Sequence, residues 1–212
     1  MTVTFSFYIL LTVSVTAIVG LPNFYQNNAR KIESFVHEFE IPDSKPKTDD
    51  QFNQPPVTLK EFSWKDCSKP GSIVNIKSLS ISPDPLSFPG PFDVATQFIL
   101  KQSLNASLNT ALKVEKRIFG TYIDIPCVDN IGSCDYPDLC AMLAPIKSKC
   151  PDPLKKIGID CQCPVNEGVY SLPKTEFDIA ASIIPTGDYR IQASITMNKE
   201  PVVCLQLAIT VV

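Results

Sequence analysis

The stretch CVDNIGSCDYPDLC, residues 127–140, sets three cysteines within fourteen positions, and CPDPLKKIGIDCQC, residues 150–163, adds three more. Thiols this dense suit one of three chemistries: metal ligation, redox exchange or covalent stapling. A structural zinc site takes Cys and His in tight pairs, usually two residues apart. Here the close spacings are Cys127 to Cys134, Cys134 to Cys140 and Cys161 to Cys163, with no CxxC. The single histidine, His37, lies far upstream. A thioredoxin-like centre also needs CxxC opening a helix. No metal and no cofactor is expected.

Hydrolytic chemistry has as little to work with. No histidine follows residue 37, so no His-based triad or acid–base pair is available in the cysteine-rich part. Glu176 and Asp178 share a strand face but alternate with apolar residues and read as solvated, and Glu167 sits in a turn. A non-enzymatic protein is expected. The formal net charge of −3 and the lack of a long basic run argue against a nucleic-acid partner.

The compartment decides what the thiols do. Residues 1–20, MTVTFSFYILLTVSVTAIVG, form an uncharged apolar run with small residues at its end. They read as a secretory signal rather than a span, being diluted by several Ser and Thr. Export implies an oxidising environment, and the eight cysteines are even in number, so staples are the expectation. The sequon Asn105-Ala106-Ser107 is compatible with glycosylation of an exported chain.

Stepping outward from the cysteines, residues 21–60 form a leader without any, Pro-rich and polar around PDSKPKTDDQFNQPP. Such composition buries too little apolar surface to fold alone. Within it, Ile32, Phe35, Val36 and Phe39 recur at helical spacing. Residues 61–212 form the folding domain.

Period-two alternation dominates that domain. Val203, Leu205, Leu207, Ile209 and Val211 share one face, as do Tyr189, Ile191, Ala193, Ile195 and Met197, with 198–201 as the hairpin turn between. Phe177, Ile179, Ala181 and Ile183 predict a third strand that turns at 185–188. Strands also read over 92–100, over 108–118, and after the break at Gly120; 73–81 slips phase between Ile76 and Leu79, the mark of a bulge. PDP, FPGP and EGVYSLPK read as connections. Residues 135–146 predict a short helix with Tyr136, Leu139, Cys140 and Leu143 on one side and Pro137 in its first turn. The fold class is all-β, an antiparallel sandwich or cup of about eight strands with a small helical, cysteine-rich insertion.

Cys67, read as preceding the first strand, and Cys204, in the last, would tie the domain's ends, for about 5 kcal/mol on a chain-entropy model. A Cys127–Cys134 bond would close a small loop for about 2.5 kcal/mol on that model. Cys161 and Cys163 are too close to pair, so each reaches back to Cys140 or Cys150. Eight cysteines still allow 105 pairings.

In this frame the chain resembles the ganglioside activator family. The resemblance rests on FSWKDC (62–67), PDP (83–85), FPG (88–90), IPCVDNIGSC (125–134), CPDPLKKIGIDCQCP (150–164), EGVYSLPKTEF (167–177) and TGDYRI (186–191), and covers 62–212. It implies the bonds Cys67–Cys204, Cys127–Cys134, Cys140–Cys163 and Cys150–Cys161. It also implies a β-cup with a lipid-filled interior, which lifts a glycosphingolipid or other membrane lipid from a membrane surface and shows its headgroup to a soluble hydrolase, beta-hexosaminidase. Lysosomal or extracellular residence follows from the same kinship. Three features depart from the family: the leader; Pro91-Phe92-Asp93 where the glycosylation site should follow FPG; and Ser182-Ile183-Ile184-Pro185, which lacks the family's loop Trp.

A lipid-binding interior would be lined by Phe98, Leu112, Val114, Tyr122, Ile179, Ile191, Ile195 and Met197. Its rim would be formed by Phe88 and Phe92 around Pro89-Gly90-Pro91 and by Ile183 and Ile184. Ile183 and Ile184 are adjacent, so a regular strand would expose one of them. Trp64 reads as a packing anchor.

Overall fold

The computed structural model describes residues 61–212, apart from Ala106, Asp129 and residues 180–183, and leaves out the side chains of Ile146 and Ile179. The signal and leader lie outside the described residues, as does Ile183. Among the described residues nine strands form: β1 (Ser63–Asp66), β2 (Val74–Ser82), β3 (Gly90–Leu100), β4 (Leu108–Ile118), β5 (Thr121–Asp124), β6 (Asp135–Tyr136), β7 (Gly168–Ile179), β8 (Gly187–Met197) and β9 (Glu200–Val211). Alternation carries most of them. In β4 the side chains of Leu108, Thr110, Leu112 and Val114 are buried while Asn109, Ala111 and Lys113 are exposed. β8 repeats the pattern from Tyr189 to Met197.

The strands pair antiparallel into two sheets. One runs β1-β9-β8-β4-β5 with β6 also on β4; the other runs β2-β3-β7. Their inner faces meet in one core, which joins Val94 and Phe98 of the small sheet to Leu112, Ile191 and Ile195 of the large one. This is a β-sandwich, as expected from period two.

Where the alternation breaks, a bulge explains it. The β2–β3 register shifts between Ile76 and Ser78, at the predicted phase slip. β9 shifts against β8 at Ile195/Thr196, so the neighbours Val202 and Val203 are both buried. The hairpin turn is only Asn198-Lys199, both at positive φ (53° and 70°), and Glu200 and Pro201 already belong to β9.

Three readings need correction. A strand, β1, precedes Cys67. EGVYSLPK is not a connection: from Gly168 it is the first half of β7, where Tyr170 and Leu172 are buried and Val169 and Ser171 exposed. Pro173 is tolerated because β7 is an edge strand and its register with β3 shifts between Val94 and Thr96. The helix is shorter than predicted. α1 spans Leu139–Leu143, capped by the Asp138 carboxylate, which accepts from the amides of Cys140 and Ala141. Tyr136 sits in β6 and Pro137 lies outside the helix. A 3₁₀ turn (Ala144–Lys149) and a second helix, α2 (Asp152–Lys156), follow.

All eight cysteines are paired, as Cys67–Cys204, Cys127–Cys134, Cys140–Cys163 and Cys150–Cys161. The cysteines are staples, in the pairing the resemblance implied. Their placement is uneven. Cys67–Cys204 ties β1 to its neighbour β9 within one sheet. Two bonds hold the helical insertion, which lies at the end where Leu104 bridges Val165 and Leu108 pairs with Met197. Cys127–Cys134 closes a loop beside the middle of β4, where the Leu112 amide donates to the Cys134 carbonyl.

The opposite end gathers the β4–β5 turn at Phe119-Gly120, the β2–β3 connection and the start of β8. Leu86 bridges Val211 there, and Gly187 pairs with Val211. No disulfide reaches that end.

Candidate functional site

The inner face of the small sheet is an aromatic ladder. At the helical end Phe98 stacks on Tyr170, with ring centroids 5.0 Å apart and planes 14° from parallel. At the opposite end Phe92 meets Phe88 edge-on at 5.9 Å and Phe177 at 6.2 Å. Cross-strand pairing builds both groups: Phe98 lies opposite Tyr170 and Phe92 opposite Phe177. Facing them are Leu112, Val114, Ile191, Ile195 and Met197 of the large sheet, all buried.

Of the residues chosen from sequence, Phe92, Phe98 and those five therefore share one interior. Phe88 is half-buried against it, and Ile184 is buried, so it is not the exposed member of the Ile pair. Ile179 ends β7 opposite Gly90. Tyr122 is elsewhere. It pairs with Arg117, and the Arg190 guanidinium lies 3.7 Å from its ring centroid, on the outer face of the large sheet. Its position is one residue out of phase with an interior role. Trp64 is partly buried against the core, as expected of an anchor.

Sequence reasoning missed Tyr170, Phe177 and Phe119 as site residues. The first two required the β3–β7 register. Phe119 had a usable signal, because a residue between two alternating runs and followed by the break at Gly120 is a hairpin tip. It is 87% exposed, and both Phe119 (φ 49°) and Gly120 (φ 84°) are left-handed. Ile123 and Val212, 44% and 50% exposed, lie at the same end.

Polar groups organise the edges. Tyr136, Tyr170 and Tyr189 each donate their hydroxyl to a carbonyl a few residues upstream, of Asn130, Asn166 and Pro185 respectively. Burial holds all three phenols above their ordinary range. Arg117 pairs with Asp188 at 3.3 Å, and the Lys116 ammonium sits 5.8 Å from the Tyr189 ring centroid. A groove of about 430 Å³ lies on the outer face of the large sheet, with Lys65, Lys113, Glu115, Arg190, Gln192 and Gln206 among its lining. Trp64, Ile191, Leu207 and Ala208 line it as well, and its polar groups bond to one another: Lys113 pairs with Glu115 and Asp124, and Gln206 donates to Gln192. Among the described residues no three His, Cys, Asp or Glu side chains cluster as metal ligands. Asn105 is exposed in a connection, and the Ser107 hydroxyl donates to Asp138.

Relatives share this part of the chain. The Ganglioside GM2 activator of Macaca fascicularis is 38% identical over 157 residues, covering 71% of this chain and 83% of that protein. Its Mus musculus counterpart is 36% identical over 157 residues, covering 71% and 81%. A Niemann-Pick type C2 protein from Japanese carpenter ant is 16% identical, covers 71% of this chain and 99% of its own, and has a TM-score of 0.39. Chicken MD-1 complexed with lipid IVa is 21% identical, covers 70% and 88%, and scores 0.38. Residues 61–211, from just before β1 to the end of β9, match the ML domain, and the chain belongs to that family.

Proposed function

We propose that this protein binds a glycosphingolipid without catalysing a reaction, lifts it from a membrane and presents it to a soluble glycoside hydrolase. The kinship with ganglioside activators supports the ligand class. The observation that carries the site is the exposed Phe119 tip beside the Phe88–Phe92–Phe177 group, at the end no disulfide closes. A bulky residue in the left-handed region costs about 1–3 kcal/mol of backbone strain. Exposing its ring to water serves folding no better. Both are accounted for when the tip enters the apolar edge of a bilayer.

The interior then receives the acyl chains as the sheets part at that end. Each CH₂ withdrawn from water is worth about 0.8 kcal/mol. A membrane lipid starts in an apolar phase, so the interior mainly offsets the cost of leaving the bilayer, and selectivity comes from the rim. The reading includes export through the signal at 1–20, a lysosomal or extracellular setting, glycosylation at Asn105 and beta-hexosaminidase as the partner.

Incubation with ganglioside-containing anionic vesicles, followed by native mass spectrometry, tests this. Bound lipid is expected, with weaker extraction by Phe119→Asp; a lipid-free protein at every pH from 4 to 7.5 would overturn it (roughly the range over which carboxylates and His titrate). A second reading, a general lipid carrier with no hydrolase partner, is favoured by Ser182-Ile183-Ile184-Pro185, which lacks Trp. Adding the protein to hexosaminidase and ganglioside micelles separates the two, since only the first predicts a faster reaction.

A further inference from the structure

Lipid exchange through the Phe119 end makes no use of the groove on the outer face of the large sheet. The register explains why that groove exists. Ser63, Ala208, Arg190 and Glu115 form one row across β1, β9, β8 and β4, and Lys65, Gln206, Gln192 and Lys113 form the next. Ser63 and Ala208 are small and the side chains around them are long, so a hollow opens over those two positions. Its volume of about 430 Å³ lies in the range of small-molecule sites, about 300–1,000 Å³.

Two kinds of group are left open in it. Gln206 donates its amide to the Gln192 carbonyl at 2.7 Å, which leaves the pair one carbonyl oxygen and one amide nitrogen to offer a ligand. Cations are the second kind. Lys113 is taken by Glu115 at 2.8 Å and Asp124 at 3.2 Å, so those three charges answer one another. Arg190 and Lys65 are exposed and have no carboxylate partner among the described residues. The Arg190 guanidinium lies over the Tyr122 ring, 3.7 Å from its centroid. Stacking of this kind positions a guanidinium and leaves its in-plane N–H donors for a carboxylate. An apolar ligand would strand the amide pair. A polyanion would meet Glu115 in the groove and Asp124 beside it, which repel every charge beyond the first. A molecule with one carboxylate and several hydroxyl or amide groups satisfies all of these conditions.

We propose that this groove binds a carboxylated saccharide. Arg190 takes the carboxylate, Lys65 adds positive charge on the β1 side, and the Gln192–Gln206 pair takes ring hydroxyl or N-acyl groups. Two sources carry that chemistry: a soluble acidic glycan, and the headgroup of a lipid whose tails occupy the interior. Gly187 to Arg190 and Glu115 to Ile118 are each about 10 Å of strand, so a headgroup leaving the Phe119 end reaches the groove by folding over the rim. The lipid source rests on the lipid-lifting function proposed for the protein; the groove itself does not.

Trp64, the chain's single tryptophan, lines the groove, so its fluorescence reads occupancy without any lipid. Titrating the full chain with sialyllactose should change Trp64 emission saturably, and lactose, which lacks the carboxylate, should bind about tenfold more weakly. Arg190→Gln should weaken sialyllactose binding about tenfold and leave lactose unchanged, a split that loss of structure would not produce. Lys149→Gln, exposed at the helical end, should change neither. Equal affinity for the two sugars, or no response to either, would overturn the proposal. So would a response to polyglutamate alone, which would make the groove a docking site for an acidic protein. The source is read from extraction out of phosphatidylcholine vesicles carrying either ganglioside or lactosylceramide. A preference for ganglioside that Arg190→Gln abolishes assigns the groove to the lipid headgroup; sialyllactose binding with extraction unchanged by the substitution assigns it to a soluble glycan. Sialyllactose binding with neither lipid extracted would keep the groove and remove the lipid-lifting function.

Discussion

Thr110 shows how a single atom departs from the logic around it. Its side chain is 2% exposed near the start of β4, between Tyr136 on one side and Ile195 on the other, and Oγ1 has no hydrogen-bond partner among the described residues. A buried hydroxyl left unpaired costs about 1–3 kcal/mol relative to an apolar group of the same shape. Thr110→Val is expected to raise the Tm by about 2–4 °C, for about 1 kcal/mol in a domain of this size. A fall in calorimetry would mean that the hydroxyl is satisfied after all. Side chains were also where the sequence was least legible. Alternation placed Leu112, Val114, Ile191, Ile195 and Met197 correctly on the inner face because they sit in long strands with many repeats of the pattern. Tyr122 was misplaced because β5 has only four residues, too few to establish phase. Phe119 was passed over because a turn residue carries no periodicity; its exposure follows from the turn's geometry.

Among the elements, the tyrosine ties recur. Tyr170 and Tyr189 stand near the starts of β7 and β8, and each donates to a carbonyl four residues upstream, holding the incoming connection against its strand. Tyr136 does the same for the Cys127–Cys134 loop through Asn130. These hydroxyls must keep their protons to donate. In the folded chain burial raises their pKa; in the unfolded chain they ionise near the ordinary value of about 10. Above that pH the unfolded state holds fewer protons, so stability falls as pH rises and is lost further as the folded-state values are approached. The Tm should be insensitive to these groups below about pH 10 and drop above it. Tyr189→Phe should flatten that drop while costing about 0.5–1.5 kcal/mol at neutral pH. An unchanged alkaline slope would show that Tyr189 does not contribute. The bulge at Ile76/Ser78 was legible in the phase slip. The first half of β7 was not, because Gly168 and Pro173 resemble a connection until the edge position of the strand is known.

At the scale of the whole molecule the four disulfides set the balance. Removing Cys67–Cys204, whose partners are 137 residues apart, should cost about twice as much as removing Cys127–Cys134, only 7 apart. Chain-entropy estimates are about 5 and about 2.5 kcal/mol for the paired Cys→Ala variants, and urea denaturation reads the difference. Equal losses would place the contribution in native contacts rather than in the unfolded chain. The sulfur bonds also distribute stiffness. Every covalent tie lies at the helical end, along β1 or beside mid-β4, while the other end is joined by backbone hydrogen bonds of Leu86 to Thr210 and Val212, so a scissoring of the two sheets about the covalently tied base is the expected motion. Cargo of different bulk is then met by a wider or narrower angle rather than by rebuilding the walls. Tail length should be tolerated far more readily than any change at the pivot.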